Sequence, residues 1–280
     1  FGVIGHVTGN DRGDAALESI ITASNKKNLG FVVASGIKSS TEPCTDELYT
    51  DRKNLLDSAQ NAVLVSLAAS DWVNCTDEYG KTTAIERLAS LRNLFFNGDF
   101  SLGASRLPLI RQSSTPKFRA YSENTRWELG DILFATVNLP AGNNHYLNAA
   151  GRNSEFEDRQ IATLHWLERI FMYANYKKLH GIVLFSDGNP LRSPSELHGR
   201  HDGFRDVRQK LKVLSKGFGG KVLIVYGQTG VRSDPTNPHI DWQSNLGLIA
   251  ARNGWLQINI NESDRQLFSV ANQRSSRSKK

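Results

Sequence analysis

With 280 residues the chain has room for one large α/β domain or two small ones. Apolar residues make up 39% and charged residues 22%, which excludes a disordered chain, and no apolar run approaches the roughly 20 residues that cross a bilayer. The net charge of +6 permits attraction to nucleic acid or anionic lipid without demanding it, and four of the bases crowd into the closing "RSSRSKK".

The chain begins without Met, inside an apolar strand pattern, "FGVIG", so residue 1 is expected to be a processing boundary with any targeting segment removed. "GNDRGD" leads into a first helix, and its Arg-Gly-Asp tripeptide, which recurs by chance, reads as part of that start. "GFVVA" predicts a second strand, residues 46–60 a helix with Leu48, Tyr49, Leu55, Leu56 and Ala59 on one stripe, and "AVLVSL" a third strand. Residues 84–96 repeat the helical stripe with Ile85, Leu88, Leu91 and Phe95, after which 98–130 reads as a long surface loop. "DILFATVNL" predicts a strand, 141–154 a second polar loop, and 156–176 a helix carrying Ile161, Leu164, Leu167 and Phe171. "HGIVLFS", a helix over 204–215, "KVLIVYG", "WLQINI" and "QLFSV" complete the series. Strands apolar at nearly every position need cover on both faces, so the alternation predicts a layered α/β domain, a β-sheet sandwich flanked by helices. One domain spans 1–270, and 271–280 forms a basic, solvated tail.

In such sheets ligands sit beyond the carboxyl ends of the strands. The loops there run Gly5-His6-Val7-Thr8, Ser35-Gly36-Ile37, Ala68-Ala69-Ser70-Asp71, Ser186-Asp187-Gly188 and Gly227-Gln228-Thr229-Gly230. Ile37 stands where an acid, amide or hydroxyl is expected, and it can neither bind a metal nor move a proton. "GHVTGNDRG" lacks the Lys-Ser/Thr of a phosphate loop, and no Gly-x-Ser-x-Gly elbow is present. His165 falls on a helical pattern, and His198 and His201 lie in a polar loop where solvation is the simpler role. Cys44 and Cys75 lack zinc-site spacing, and the residues alone leave two readings. They are either two buried thiols or a bridge that closes a loop of about thirty residues and contributes roughly 3–4 kcal/mol.

Taken in order, "IKSSTEPCTDEL", "ERLASLRNLFF", "NTRWELGDILFATVNL", "GNN" at 142–144 and the closing "WLQINI…LFSV" resemble the calcineurin-like metallophosphoesterase superfamily, in particular an exported bacterial branch. The resemblance runs from Phe1 to about Val270 and implies that family's fold. It also maps the family's metal ligands onto this chain. The first Asp becomes His6, the Gly-Asp becomes Gly36-Ile37, and the Asn-bearing loop becomes Ala68-Ala69-Ser70-Asp71. A late ligand falls near Asp187, and the last His-rich motif becomes Gly227-Gln228-Thr229-Gly230.

A two-metal hydrolase holds its ions roughly 3.5–4 Å apart on carboxylates and imidazoles. Ile37 removes the anion between them, leaving two dications to repel, while Gln228 and Ser70 are weak neutral ligands. The expectation is therefore a catalytically degenerate, hydrolase-like pseudoenzyme that needs no cofactor and binds or scaffolds an unknown protein partner, a larger assembly or an anionic ligand. Its pocket would draw on Ser35, Asn143 and Asn144 beside His6, Ser70, Asp71, Asp187 and Gln228. One alternative keeps a single divalent ion on His6, Asp71 and Asp187 and hydrolyses phosphoesters slowly. A second binds nucleic acid through Arg106, Arg111, Lys117, Arg119 and Arg126, with Phe118 and Tyr121 for stacking. The resemblance also favours a Cys44–Cys75 disulfide and a secreted or periplasmic protein. A mitochondrial home is the alternative, given the sequence pI of about 9.3.

Overall fold

Side chains alternate across a strand, so a strand that is apolar at every position must meet an apolar layer on each face. A computed structural model of the chain describes residues 1–5, 13–148, 153–192, 201–227, 238–251 and 254–271. In chain order its elements begin with β1 (Gly2–Ile4), α1 (Gly13–Asn25), β2 (Val32–Ser35), α2 (Asp46–Asp57), β3 (Val63–Ser66), α3 (Ala69–Trp72) and α4 (Ala84–Phe95). There follow β4 (Ile110–Arg111), two 3-10 turns (Gln112–Ser114 and Pro116–Phe118), β5 (Thr125–Leu129), β6 (Ile132–Thr136), the short turn α5 (Ala141–Asn144), α6 (Ser154–Lys177) and β7 (Gly181–Ser186). The series closes with α7 (Arg205–Lys216), β8 (Lys221–Tyr226), β9 (Asp241–Gln243), β10 (Leu246–Ala250), β11 (Trp255–Ile260) and β12 (Phe268–Val270).

These strands form two mixed sheets, one in the order β12-β11-β1-β2-β3 and the other β4-β5-β6-β7-β8-β10-β9. In the first, β1, β2 and β3 run parallel and β11 and β12 are antiparallel additions. In the second, β6, β7, β8 and β10 run parallel, with antiparallel strands at both edges.

The alternation sorts the side chains into layers. Val3, Val33 and Leu64 of the first sheet share one apolar cluster with Phe134, Val183, Phe185, Leu223 and Val225 of the second. Phe31 stands between them, 5.2 Å from the Phe1 ring and 4.8 Å from the Phe134 ring. The intervening residues of the first sheet, Ile4, Val32, Ala34, Val63 and Val65, pack with Leu17, Leu56, Leu88 and Leu91 of α1, α2 and α4. Those of the second, Ile182, Leu184, Val222 and Ile224, pack with Leu167, Ile170 and Phe171 of α6 and Val207 and Leu211 of α7. The molecule is thus a mixed α/β protein whose two sheets face each other and are covered outside by helices, as the apolar strand runs predict.

Two regions differ from the sequence reading. The stretch 98–130, expected as loop, contains β4, two 3-10 turns and β5. Strand β5 buries Trp127 in the inter-sheet core while Arg126 and Glu128 face outward, so its polar appearance reflects a strand with one apolar face. Strands β9 and β10 also go beyond the predicted set. Gly247 obscures β10, yet a Cβ there would stand 2.8 Å from Ile240 and Trp242, so the strand requires glycine for close approach.

Candidate functional site

The parallel strands of both sheets aim their carboxyl ends at one region, and the residues at those ends decide what it can do. Strand β2 exits through Gly36, whose φ of 85° is a left-handed conformation that favours glycine. The turn sends Ile37 inward, where it is 2% exposed and shares the helix-side apolar cluster with Leu17, Tyr49 and Trp72. Its backbone is equally engaged. The N–H donates to Asp71 Oδ1 at 2.9 Å, and the carbonyl accepts from Arg52 Nη1 at 2.7 Å. Arg52 is itself buried and pairs with Asp14 and Glu42. The side chain without chemistry is a core residue that seats the loop.

Asp71 is fully buried and receives three backbone N–H groups, from Ile37 and Lys38 on Oδ1 and from Ala68 on Oδ2, at 2.8–3.1 Å. It therefore ties the loop after β2 to the loop after β3. Asp187, 2% exposed at the end of β7, accepts on Oδ2 from Ala69 N–H and Ala141 N–H, both at 2.7 Å. It joins the loops after β3 and β6, one from each sheet. The two carboxylates thus meet the adjacent residues Ala68 and Ala69, and both hold backbone there. Beside them, burial lowers the pKa of Lys38, against the opposing pull of Asp71 and Glu42, and its Nζ donates to the Ser39 carbonyl at 2.7 Å.

A disulfide joins Cys44 and Cys75, with a Cα–Cα distance of 5.8 Å. It ties the approach to α2 to the chain following α3. Tyr49 Oη donates to the Asp71 carbonyl at 2.6 Å in the same place, and burial together with the Asp71 charge pushes its phenol above the usual range.

Of the other expected residues, Ser35 is buried on β2 in register with Ser66, and Ser70 lies in α3. Asn143 and Asn144 are spent on the chain: Asn143 exchanges hydrogen bonds with His201 and Gly203, and Asn144 donates to the Gly203 carbonyl. His6, Gln228 and Gly230 lie outside the described residues. Among the described residues, no protein group meets Ser70 Oγ, Trp72 Nε1 or Asn138 Oδ1, although these atoms are buried.

A network that the sequence reading missed lies beside this region. Gly142, Asn143, Asn144 and His145 all have φ between 55° and 75°, a left-handed turn that costs free energy at each non-glycine position. The turn sets the His145 ring edge-on to Trp72 at 4.9 Å and places its Nδ1 2.9 Å from Glu155 Oε2. Fully buried Arg159 then binds Asn144 Oδ1 at 2.5 Å, the Asn144 carbonyl at 2.9 Å and both Glu155 oxygens. The Glu155–Arg159 spacing of i, i+4 on α6 was the available signal, but their partners come from other segments.

Burial alone would raise the Glu155 pKa, but the Arg159 charge and the hydrogen bonds from His145 and Arg159 bring it down to about 2. A folded-state pKa below the unfolded value gives stability that is complete above about 4.5 and lost as the pH falls toward 2. The wild type should therefore lose about 2–3 kcal/mol more than Glu155→Gln across that window, as read by urea unfolding at stepped pH. Equal pH slopes in the two proteins would contradict it.

The basic loop is less available than its sequence suggests. Arg111 is buried against the Gly98 and Ser122 carbonyls and Thr125 Oγ1, and burial brings its pKa down to about 10. Phe118 is buried, Tyr121 lies under the Arg92 guanidinium, and Arg126 stacks on Tyr173 at 3.9 Å. Both aromatic residues proposed for base stacking are engaged within the protein, and no helix among the described residues is long and apolar enough to cross a membrane.

Compared with protein-family models and with curated proteins, the chain matches none.

Proposed function

We propose that this chain is a catalytically degenerate relative of the calcineurin-like metallophosphoesterases, a secreted or periplasmic pseudoenzyme that binds or scaffolds instead of hydrolysing. The observation that carries this reading is the use of the strand-end groups as structure. Ile37 fills core space, both oxygens of Asp71 and Oδ2 of Asp187 accept backbone N–H groups, and these bonds hold three loops together. A carboxylate whose two oxygens both accept buried amides, as in Asp71, makes a poor metal ligand, because coordination would strip acceptors from donors that have no water to turn to.

Binding is supported by Ser70 Oγ, Trp72 Nε1 and Asn138 Oδ1, buried polar atoms for which the described chain supplies no partner. With Asn143, Asn144 and Asp187 engaged within the chain, these three atoms are what a small polar ligand or a partner's loop would meet. The Cys44–Cys75 bridge agrees with an oxidising compartment.

The experiment is hydrolysis of an aryl phosphate with added Mn²⁺, using wild type, His6→Ala and Asp187→Ala. Equal background rates in all three are expected. Turnover in the wild type that is lost in both variants would overturn the reading and favour a mononuclear phosphoesterase on His6, Asp71 and Asp187.

A further inference from the structure

The opposite end of the strands, where the amino termini of β6 and β7 begin, gathers a different set of side chains. Asp131 precedes β6 and His180 precedes β7, and because Ile132 and Gly181 are in parallel register these two residues lie side by side. The backbone fixes them: His180 N–H donates to the Asp131 carbonyl at 2.9 Å, and the His180 carbonyl accepts from Lys221 N–H at 3.0 Å. The third residue, Glu262, comes from the other sheet, on the connection between β11 and β12. Its Oε1 lies 3.3 Å from where a Cβ would stand on Gly130, whose φ is 58°. One ligand atom from each of Asp131, His180 and Glu262 falls within 4.8 Å of the other two, and His180 Nδ1 is 3.8 Å from Asp131 Oδ2. Among the described residues no other trio of His, Cys, Asp or Glu meets that spacing.

We infer that Asp131, His180 and Glu262 form a divalent transition-metal site of the Zn²⁺ class that clasps the two sheets together at the amino ends of the strands. Two carboxylates neutralise the charge of a dication, and an imidazole nitrogen discriminates against Ca²⁺ and Mg²⁺, which prefer oxygen alone. Three protein ligands with a remaining water-accessible position match the ligand number of open zinc sites, and all three side chains are exposed, so an ion can enter directly. Ligand atoms around Zn²⁺ sit about 2.0–2.2 Å from the metal, so closing the trio onto an ion takes rotation of exposed side chains and leaves the anchored backbone in place. The ligands come from both sheets, so the ion also stabilises the packed state over the open one.

The test uses the whole chain and Zn²⁺ alone. Calorimetric titration should show one saturable site, with a rise in melting temperature. His180→Ala and Glu262→Gln should each weaken binding by at least about tenfold and remove the thermal shift. Ca²⁺ should not compete. Zn²⁺ binding of wild-type strength in both variants would overturn the inference, as would the absence of saturable binding to the wild type. Anomalous scattering from Zn²⁺-soaked crystals gives a check that does not depend on the variants: a peak among these three residues supports the site, and a peak only elsewhere refutes it. Neither outcome bears on the strand-end reading, which is scored by aryl phosphate turnover at the other end of the sheets.

Discussion

Replacing Asp71 with alanine is expected to destabilise the protein by about 3–5 kcal/mol. The carboxylate is fully buried and receives the N–H groups of Ile37, Lys38 and Ala68. Removing it orphans all three donors in a place where the surrounding side chains are Ile37, Tyr49 and Trp72. Each stranded donor costs about 1–3 kcal/mol, and relaxation of the two loops recovers part of the sum. Asp71→Asn keeps the shape but turns one acceptor into a donor facing other donors, so it should fall between wild type and alanine. Equilibrium unfolding in urea measures both, and a midpoint for Asp71→Ala within error of the wild type would show that the loops do not depend on this carboxylate.

The double variant Cys44→Ser, Cys75→Ser should lose about 3–4 kcal/mol, the chain-entropy value for a sequence separation of 31. The bridge anchors the same pair of loops as Asp71, so the two effects should not add. Residues that share one loop junction couple, and the triple variant should lose less than the sum. Treating the wild type with a reductant ought to reproduce the double variant's unfolding midpoint. A reductant that leaves the midpoint unchanged would count against a structural role for the bridge.

The fold was legible where strands are covered on both faces. Runs such as "GIVLFS" leave no polar position to confuse the reading, and each maps onto a strand whose alternate residues enter different apolar clusters. It was not legible in β5, where Trp127 is the main inward anchor and Arg126 is held outside by Tyr173. The strand-end loops could be located from sequence, and the structure brings Asp71 and Asp187 to neighbouring residues of one loop. Their engagement could not be read, because the partners are backbone amides at Ile37, Ala69 and Ala141, and an amide leaves no mark in the amino-acid code. Arg159 escaped notice for a related reason. Its counter-groups Asn144 and Glu155 are ordinary surface residues until a left-handed turn folds one of them under α6.

The seat occupied by Ile37 limits what the loop can carry. An acid at this position would place a naked charge among hydrocarbons, beside a carboxylate already committed to backbone N–H groups. Accommodating that charge would mean re-routing the turn and rebuilding its surroundings together, because the Ile37 backbone is held on both sides by Asp71 and Arg52. The side chain works as a keystone, and the loop beneath it can change its chemistry only by changing its shape.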